Sequence, residues 1–421
     1  MEPDRATALA HDLNASCACI SVDRERLDEA LLREAAGIGL AQLVASHPHL
    51  FSGSAVFVDR ATATAMQAVV EAVERVVGLP AYQARVLAEA HPHARVATRA
   101  RGAFLGFDFH LSERGPQLIE INTNAGGGLL NVVLRKAQRA CCAPVEEAFG
   151  LDAQQSCDFF AMFEEEWRLA RGAKPLRQIA IVDDRPEQQY LYPEFVLFRR
   201  LCETRGVQAV ICDPSELELS DGALRHRGVA IDLVYNRLTD FSLELAEHAA
   251  LAQAFQGDLA LVTPHPRAYA LYADKRRLAL LCDADALCEL GASAEDAALL
   301  GQYVPRTRIV TKELRDELWR ERKQLFFKPQ TGYGAKAAYR GEGITKRVFE
   351  QVLEQPYVAQ ELVPPSSRTL LVGAEKRELK LDVRNFAYAG RVQLVCARLY
   401  HGQTTNFRSE GGGFAPIYTV P

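Results

Sequence analysis

The sequence predicts an α/β (α+β) protein of two or three lobes, and three observations carry that prediction. A chain of 421 residues is longer than one hydrophobic core ordinarily organises. Its apolar residues recur at helical spacing through the first hundred positions, then switch to alternation over 101–122. A strand–helix–strand pattern over 178–212 marks a small doubly wound unit. Apolar content of 48% and charged content of 24% are those of an ordinary globular chain.

The N-terminal region, 1–100, reads as helices. In "TATAMQAVVEAVERVVGLP", Met66, Val69, Val70, Val73, Val76 and Val77 form one apolar stripe, and Gly78 and Pro80 end it. The "HPH" pairs, His47/His49 and His91/His93, flank proline and mark turns. A hairpin over 101–122 leads into a helical stretch to about 170, closed by the linker "RGAKP" at 171–175. A small α/β domain over 175–265 follows. It runs from the buried-type strand "QIAIVDD" through a helix ended by Gly206 to "VQAVICDP", then to a hairpin or strand at 224–241 carrying Arg237. From 270 to 421 helices give way to strand-rich sequence, with "AG" at 389–390 as a hairpin turn.

Composition narrows the partners. A formal net charge of −5 carries no polycationic surface, which excludes nucleic acid as the main partner. No apolar run reaches the length of a membrane span, and "MEPDRATALAHDLN" has no apolar signal core. Ten cysteines form no C-x-x-C pair, with "CAC" at 17–19 and "CC" at 141–142 the close ones. They read as reduced thiols of a cytoplasmic protein.

Four stretches carry chemistry. In "GFDFHLSERGPQLIEIN", alternation puts Asp108 and His110 on one face and Phe107 and Phe109 on the other. The return strand has Glu120 and Asn122 opposite Ile119 and Ile121. A turn centred on Arg114 brings Asp108 to face Glu120 across the strands. Two carboxylates in that position repel unless a cation separates them. With the Asn122 amide they make an all-oxygen set suited to Mg²⁺, or else an exposed polar hairpin face. In "FFKPQTGYGAKAAYRGEG" a strand delivers Lys328. Gly332 and Gly334 then leave backbone N–H groups bare for phosphate, with Lys336 as an added charge, or the stretch is a plain flexible loop. "YVAQELVPP" can offer a hinge backbone to an adenine edge or serve as a linker. The strands after 379 place Asp382 and Arg384 on one face, and Arg398, Asn406 and Arg408 ahead of Gly411–Gly413 suggest an anion site.

Together these pieces resemble an ATP-grasp ligase in a shuffled order. The usual order is an early lysine, K-P-x-x-G-x-G-G, a Q-E hinge, D-x-R and F-R-x-x-x-G-G, with the metal hairpin E-I-N last. Here E-I-N stands at 120–122 while the rest spans 275–413, the arrangement of the circularly permuted, eukaryotic-type glutathione synthetases. "QLIEINTNAGGGL", "FKPQTGYGAK" and "AIDLVYNRLTDF" resemble motifs of that group, over roughly 100–421. The resemblance implies a circularly permuted ATP-grasp fold with a Rossmann-like substrate domain and N-terminal helices, with ATP and Mg²⁺ as cofactors. It also implies an ADP-forming ligase that joins a small carboxylate to an amine through an acyl phosphate. Lys275 and Lys328 would bind phosphates, and Gly332, Gly334 and Lys336 would belong to the lid loop. Gln360, Glu361 and Val363 would line the adenine and ribose pocket. Asp108, Glu120 and Asn122 would hold metal, and Arg237, Arg384 and Arg408 would bind or activate the acceptor carboxylate. Thr123 to Gly128 would shape the acceptor pocket, and a homodimer is implied. Where that group carries a glutamate ligand in its glycine loop, this chain has Thr331 and Gly332, nearer to bacterial ligases. A glutathionylspermidine-synthase-like ligase with a polyamine acceptor, and an ATP-binding protein without ligase activity, remain alternatives.

Overall fold

A computed structural model describes residues 3–18, 20–34, 40–140, 158–332, 337–372 and 375–420. Its spine is the strand Glu375–Tyr388, which alternates along its length. Leu379, Leu381 and Val383 enter a core shared with Val69 and Val73, while Asp382 and Arg384 take the other face. The spine pairs with Arg391–Tyr400 on one side and Leu105–Ser112 on the other, with Ser366–Val372 added along its first half. Gly115–Asn122 continues the sheet beyond Leu105–Ser112, and Gly413–Val420 and then Val56–Asp59 continue it beyond Arg391–Tyr400. The 389–390 turn has both residues at positive φ, the geometry a two-residue hairpin connection requires.

Helix Arg60–Val77 covers one face of this sheet and buries all six residues of the apolar stripe. The next helix begins at Pro80, where a missing N–H costs nothing. The N-terminal region is not helical throughout, however. Val56–Asp59 is a fully buried strand, parallel to Gly413–Val420 with Val56 opposite Ile417. Four residues are too few to show a period, and their partner lies at the far end of the chain. The helical stretch expected up to about 170 also contains a short strand. Gly128–Lys136 is helical, Gln138–Ala140 is a strand, and Phe159–Arg171 is helical again. Residues 141–157, including the "CC" pair, lie outside the described residues, as does Cys19.

On the opposite face sit two further sheets. The four-stranded parallel sheet, in spatial order Leu261–Thr263, Leu233–Asn236, Gln178–Val182, Gln208–Cys212, contains the expected β-α-β unit with helix Tyr192–Thr204. The four-stranded antiparallel sheet is Thr307–Ile309, Tyr357–Glu361, Leu325–Pro329 and Tyr339–Arg340. Helix Lys346–Leu353 backs it, packing Phe349 and Val352 with Phe327 and Ala359. Among the described residues no helix is long and apolar enough to cross a membrane.

One buried cation ties the N-terminus to this body. Arg368 is 1% exposed and donates to five backbone carbonyls, those of Leu13, Asn14, Cys17, Ala55 and Thr369, and to the Ser54 hydroxyl. No carboxylate pairs with it among the described residues. The planar fork therefore acts as a donor hub for helix Pro3–Ser16 and the segment before Val56. Arg368→Ala leaves several buried carbonyls unpaired, so a loss of at least about 3 kcal/mol is expected in urea denaturation. A loss below about 1 kcal/mol would show that the hub is dispensable.

Candidate active site

The hairpin meets the spine in the register that alternation requires. Asp108 faces Glu120 on one side and Arg384 on the other, and Asp382 faces Arg398 on the next strand. A bulge interrupts the hairpin at this point: Phe109 pairs with Leu118, leaving Ile119 without a partner. Ile119 is therefore not the buried opposite-face residue that strict alternation gives. The bulge turns its carbonyl out of the ladder, and the Lys328 ammonium donates to it at 2.9 Å.

Between the large sheet and the antiparallel sheet lies a cavity of about 530 Å³. Lys275 reaches it from the turn ahead of helix Arg276–Leu281, with Nζ 3.1 Å from Glu120 Oε1 and donating to the Gly332 carbonyl at 3.0 Å. Lys328 enters from its strand and also donates to Gln360 Oε1 at 2.8 Å. Gln360 is held in turn by Thr307. Burial pushes the Lys328 ammonium down to about 8; the Glu120 charge opposes this and the Lys275 charge reinforces it. Burial alone would raise the Glu120 carboxyl, but Lys275 and Lys328 outweigh it and hold Glu120 below its ordinary value. The wall on the hinge side is Gln360, Glu361 and Val363. It is fastened to the hairpin where Arg114 pairs with Glu361 and His110 Nδ1 meets the Val363 carbonyl at 2.7 Å.

The floor is a buried charge network. Asp108 is paired bidentately by Arg384, through Nε and Nη2 at 2.7 Å each. Its Oδ2 also meets Arg398 Nη2 at 2.8 Å and accepts from Asn122 Nδ2 at 3.0 Å. Arg398 Nε donates to Asp382 at 2.6 Å, and Thr405 donates to the other Asp382 oxygen. Burial works to raise the Asp108 carboxyl, and the two guanidiniums more than offset it, leaving it below its usual range. Among the described residues no group of three or more His, Cys, Asp or Glu side chains is placed to hold a metal. Glu120, paired with Lys275, and the Asn122 amide oxygen, which no described hydrogen bond occupies, line the cavity, as does Glu361.

The structure therefore brings Lys275, Lys328 and Gly332 together with the hinge residues, the three metal candidates and Arg384. Gly334 and Lys336 lie outside the described residues. Arg237 and Arg408 do not line this cavity. Arg237 is buried at the end of strand Leu233–Asn236, stacked over Phe195 and Tyr235 and donating to the Tyr235 hydroxyl. Arg408 is exposed and lines a separate space beside His401, on the other side of the 401–409 loop. Arginine on a strand end looks the same in sequence whichever face it takes. Polar cavity residues that the sequence does not single out include Arg340, Lys380, Tyr400 and Thr405; Asp382 and Arg398, singled out by strand position and as part of an anion site, line it as well. Period two was the available signal, since Lys380, Asp382 and Arg384 alternate along one face. The cysteines stand apart: burial pushes Cys202, Cys212 and Cys396 up to about 12, and no described cysteine lines the cavity.

The glycines of "NAGGGL" serve packing. A Cβ on Gly126, Gly127 or Gly128 would lie 2.2 Å from Leu191, 2.1 Å from Phe414 or 2.6 Å from Phe104 respectively. Gly127 has φ of 103°, and the buried Glu194 carboxylate accepts its N–H and that of Leu129. The helix end that could have received phosphate is already capped by the protein's own acid. None of the three lines the cavity. Gly127→Ala is expected to cost more than about 2 kcal/mol in thermal denaturation, through overlap and positive-φ strain. A neutral effect would return these glycines to the list of site residues.

Comparison with known structures agrees with this architecture. The chain has the ATP-grasp fold in its glutathione synthetase-like form. It superposes on a glutathione synthetase-like effector from Globodera pallida with a TM-score of 0.56 at 12% identity, covering 94% of this chain and 98% of that one. A Methylobacillus flagellatus KT protein assigned as a gamma-glutamylcysteine synthetase aligns over 82% and 84% of the two chains, with a TM-score of 0.46 at 10% identity. The ATP-grasp ligase PsnB, complexed with a minimal precursor, Mg and ADP, aligns over 57% and 87% with a TM-score of 0.30 at 15% identity. No protein-family model and no curated protein sequence matches the chain.

Proposed function

We propose that this protein is an ATP- and Mg²⁺-dependent ligase that joins the carboxylate of one small substrate to the amine of another. The observation that carries the reading is the convergence of Lys275 and Lys328 on Glu120, inside a cavity whose opposite wall is the Gln360–Val363 hinge. Two ammonium groups facing one carboxylate leave a surplus of positive charge, which a triphosphate satisfies. In this reading Lys275, Lys328 and the loop backbone at Gly332 take the phosphate oxygens, and the hinge takes the base. Glu120 and Asn122 would hold Mg²⁺. The donor set is hard and all-oxygen, no described hydrogen bond occupies the Asn122 Oδ1, and Lys275 already stands as a cation against Glu120. When bound, Mg²⁺ supplies Lewis-acid neutralisation of the transferring phosphoryl group.

The remaining steps belong to the chain's own residues. The lysines hold the triphosphate while a substrate carboxylate oxygen attacks the γ-phosphorus, releasing ADP and leaving an acyl phosphate. The amine then adds to the acyl carbon, phosphate departs and the amine proton is lost. Arg384, with Arg398 beside it, faces the developing oxyanion. Of the three arginines assigned from the resemblance to the acceptor carboxylate, Arg384 alone lines the cavity, so Arg237 and Arg408 are assigned no part in this step. The permuted order fits the sheet: strand Gly413–Val420 lies against Val56–Asp59, upstream of the hairpin it would precede in an unpermuted chain.

Glu120→Gln and Lys328→Ala are each expected to lower ADP release at least about a hundredfold, with circular dichroism unchanged. The assay is ADP release over pooled amino acids, dipeptides and polyamines; near-normal turnover in either variant would remove the assignment. A pH dependence follows from Lys328. Below about 8 it carries its charge in the free protein; above that value the charge is lost. ATP affinity should therefore fall as pH rises through that range, and binding there should take up protons, read in calorimetry as a buffer-dependent heat. Lys328→Arg, which keeps its charge, should flatten both effects.

A further inference from the structure

We propose that Thr307 is a positioning residue for the phosphate end of the cavity. Its hydroxyl fixes the direction of the Gln360 amide and so the aim of the Lys328 ammonium, while its backbone anchors the helix that starts beside Lys275. The inference rests on the ligase reading above, because it concerns how the two lysines of that reading are held.

Thr307 opens strand Thr307–Ile309 and stands opposite Gln360 on the neighbouring strand. It is buried and does not line the cavity, so it acts there only through its neighbours. The Thr307 hydroxyl donates to the Pro305 carbonyl at 2.8 Å. A hydroxyl has one hydrogen. With that hydrogen committed, Oγ1 is left to accept, and Gln360 Nε2 donates to it at 3.2 Å. The amide oxygen is thereby turned to the other end, where it accepts from Lys328 Nζ at 2.8 Å. Reversing the amide would set its NH₂ against the ammonium, donor to donor, at a side chain only 2% exposed, where solvent does not relieve the contact. Lys328 has three N–H groups, and two of them are taken by Gln360 and by the bulge carbonyl of Ile119. The third keeps one direction as long as those two acceptors hold, and Lys328 lines the cavity. Valine matches threonine in shape and suits a strand equally well. The hydroxyl is therefore the feature of this position that packing does not require.

The backbone of the same residue reaches the support of the second lysine. The Thr307 N–H donates to Cys282 Sγ at 3.3 Å, and the thiol in turn meets the Thr307 carbonyl at 3.7 Å. Cys282 caps the C-terminal end of helix Arg276–Leu281, and Lys275 stands at its N-terminal end. One strand position thus ties the helix behind Lys275 to the strand that carries Gln360. Lys275 and Lys328 come from separate segments, and Thr307 is where their supports meet.

The test separates orientation from packing. Affinity of the full-length protein for a non-hydrolysable ATP analogue with Mg²⁺ is read by titration calorimetry, and folding by circular dichroism and thermal melting. Thr307→Val is expected to weaken binding at least about tenfold in a folded chain, and Thr307→Ser, which keeps the hydroxyl, to stay within about threefold of wild type. The measurements are repeated in a Gln360→Glu background. A carboxylate accepts at either oxygen and has no direction for Thr307 to set, so Thr307→Val is expected to change affinity there by less than about threefold. Wild-type affinity in Thr307→Val, or an equal loss in both backgrounds, overturns the inference and leaves the ligase reading standing. A loss in Thr307→Ser as large as in Thr307→Val overturns it as well. If Gln360→Glu abolishes binding, the contrast between valine and serine decides. If Thr307→Val does not fold, Thr307→Ala is measured in its place and judged by the same outcomes. Absence of nucleotide binding in the wild type removes the ligase reading itself, and this inference with it.

Discussion

The ion pair between Asp108 and Arg384 is the constraint on which the site depends. These side chains sit opposite each other on adjacent strands, and burial makes any other arrangement expensive for both. A slip of one residue would send Asp108 into the apolar face with Phe107 and Phe109, and would bring Val383 into the cavity. The pairing therefore locks the register of the hairpin against the spine. Glu120 and Asn122 reach the cavity because that register holds.

From there the electrostatics build outward. Glu120 would be pushed up by burial, yet two lysines from separate segments hold it ionised. One of those lysines is fastened through a bulge carbonyl and the Gln360 side chain, so it is positioned by neutral groups while its charge faces the acid. The hinge is fixed by His110 and Arg114 of the same hairpin. A single two-stranded element thus organises the acid, both lysines and the wall opposite. The remaining sheets serve it by covering one face of the spine.

Much of this was legible in the sequence. The helix stripe, the hairpin with Asp108 facing Glu120, the β-α-β unit and the glycine turn at 389–390 all follow from local period and turn chemistry. They are short-range patterns, and each residue's neighbours in the chain carry the information. The strand Val56–Asp59 was not legible, because four residues show no period and the pairing partner is remote. The bulge at Ile119 was not legible either, since nothing in "LIEIN" departs from alternation. Arg237 at a strand end, Arg384 on a strand face and Arg408 ahead of the glycines all read alike as acceptor-binding arginines. Which one enters the cavity depends on how three sheets stack, and no single strand records that. The glycines of "NAGGGL" read as ligand-facing and are packing glycines, because the aromatic rings that need the space come from Phe104 and Phe414.

The sequence by itself determined the identity and order of the chemistry-bearing segments: the paired-acid hairpin, two lysines, a hinge and a strand of alternating charge. Alternation and turn residues act over a few positions, and they survive without knowledge of the fold. The tertiary structure alone decided the state of each group. It gave Asp108 to two arginines, left Glu120 to the lysines and set Arg398 and Asp382 into the floor. Charge pairing in a buried site is a property of distances across strands that lie far apart in the chain, and burial fixes which pairing prevails.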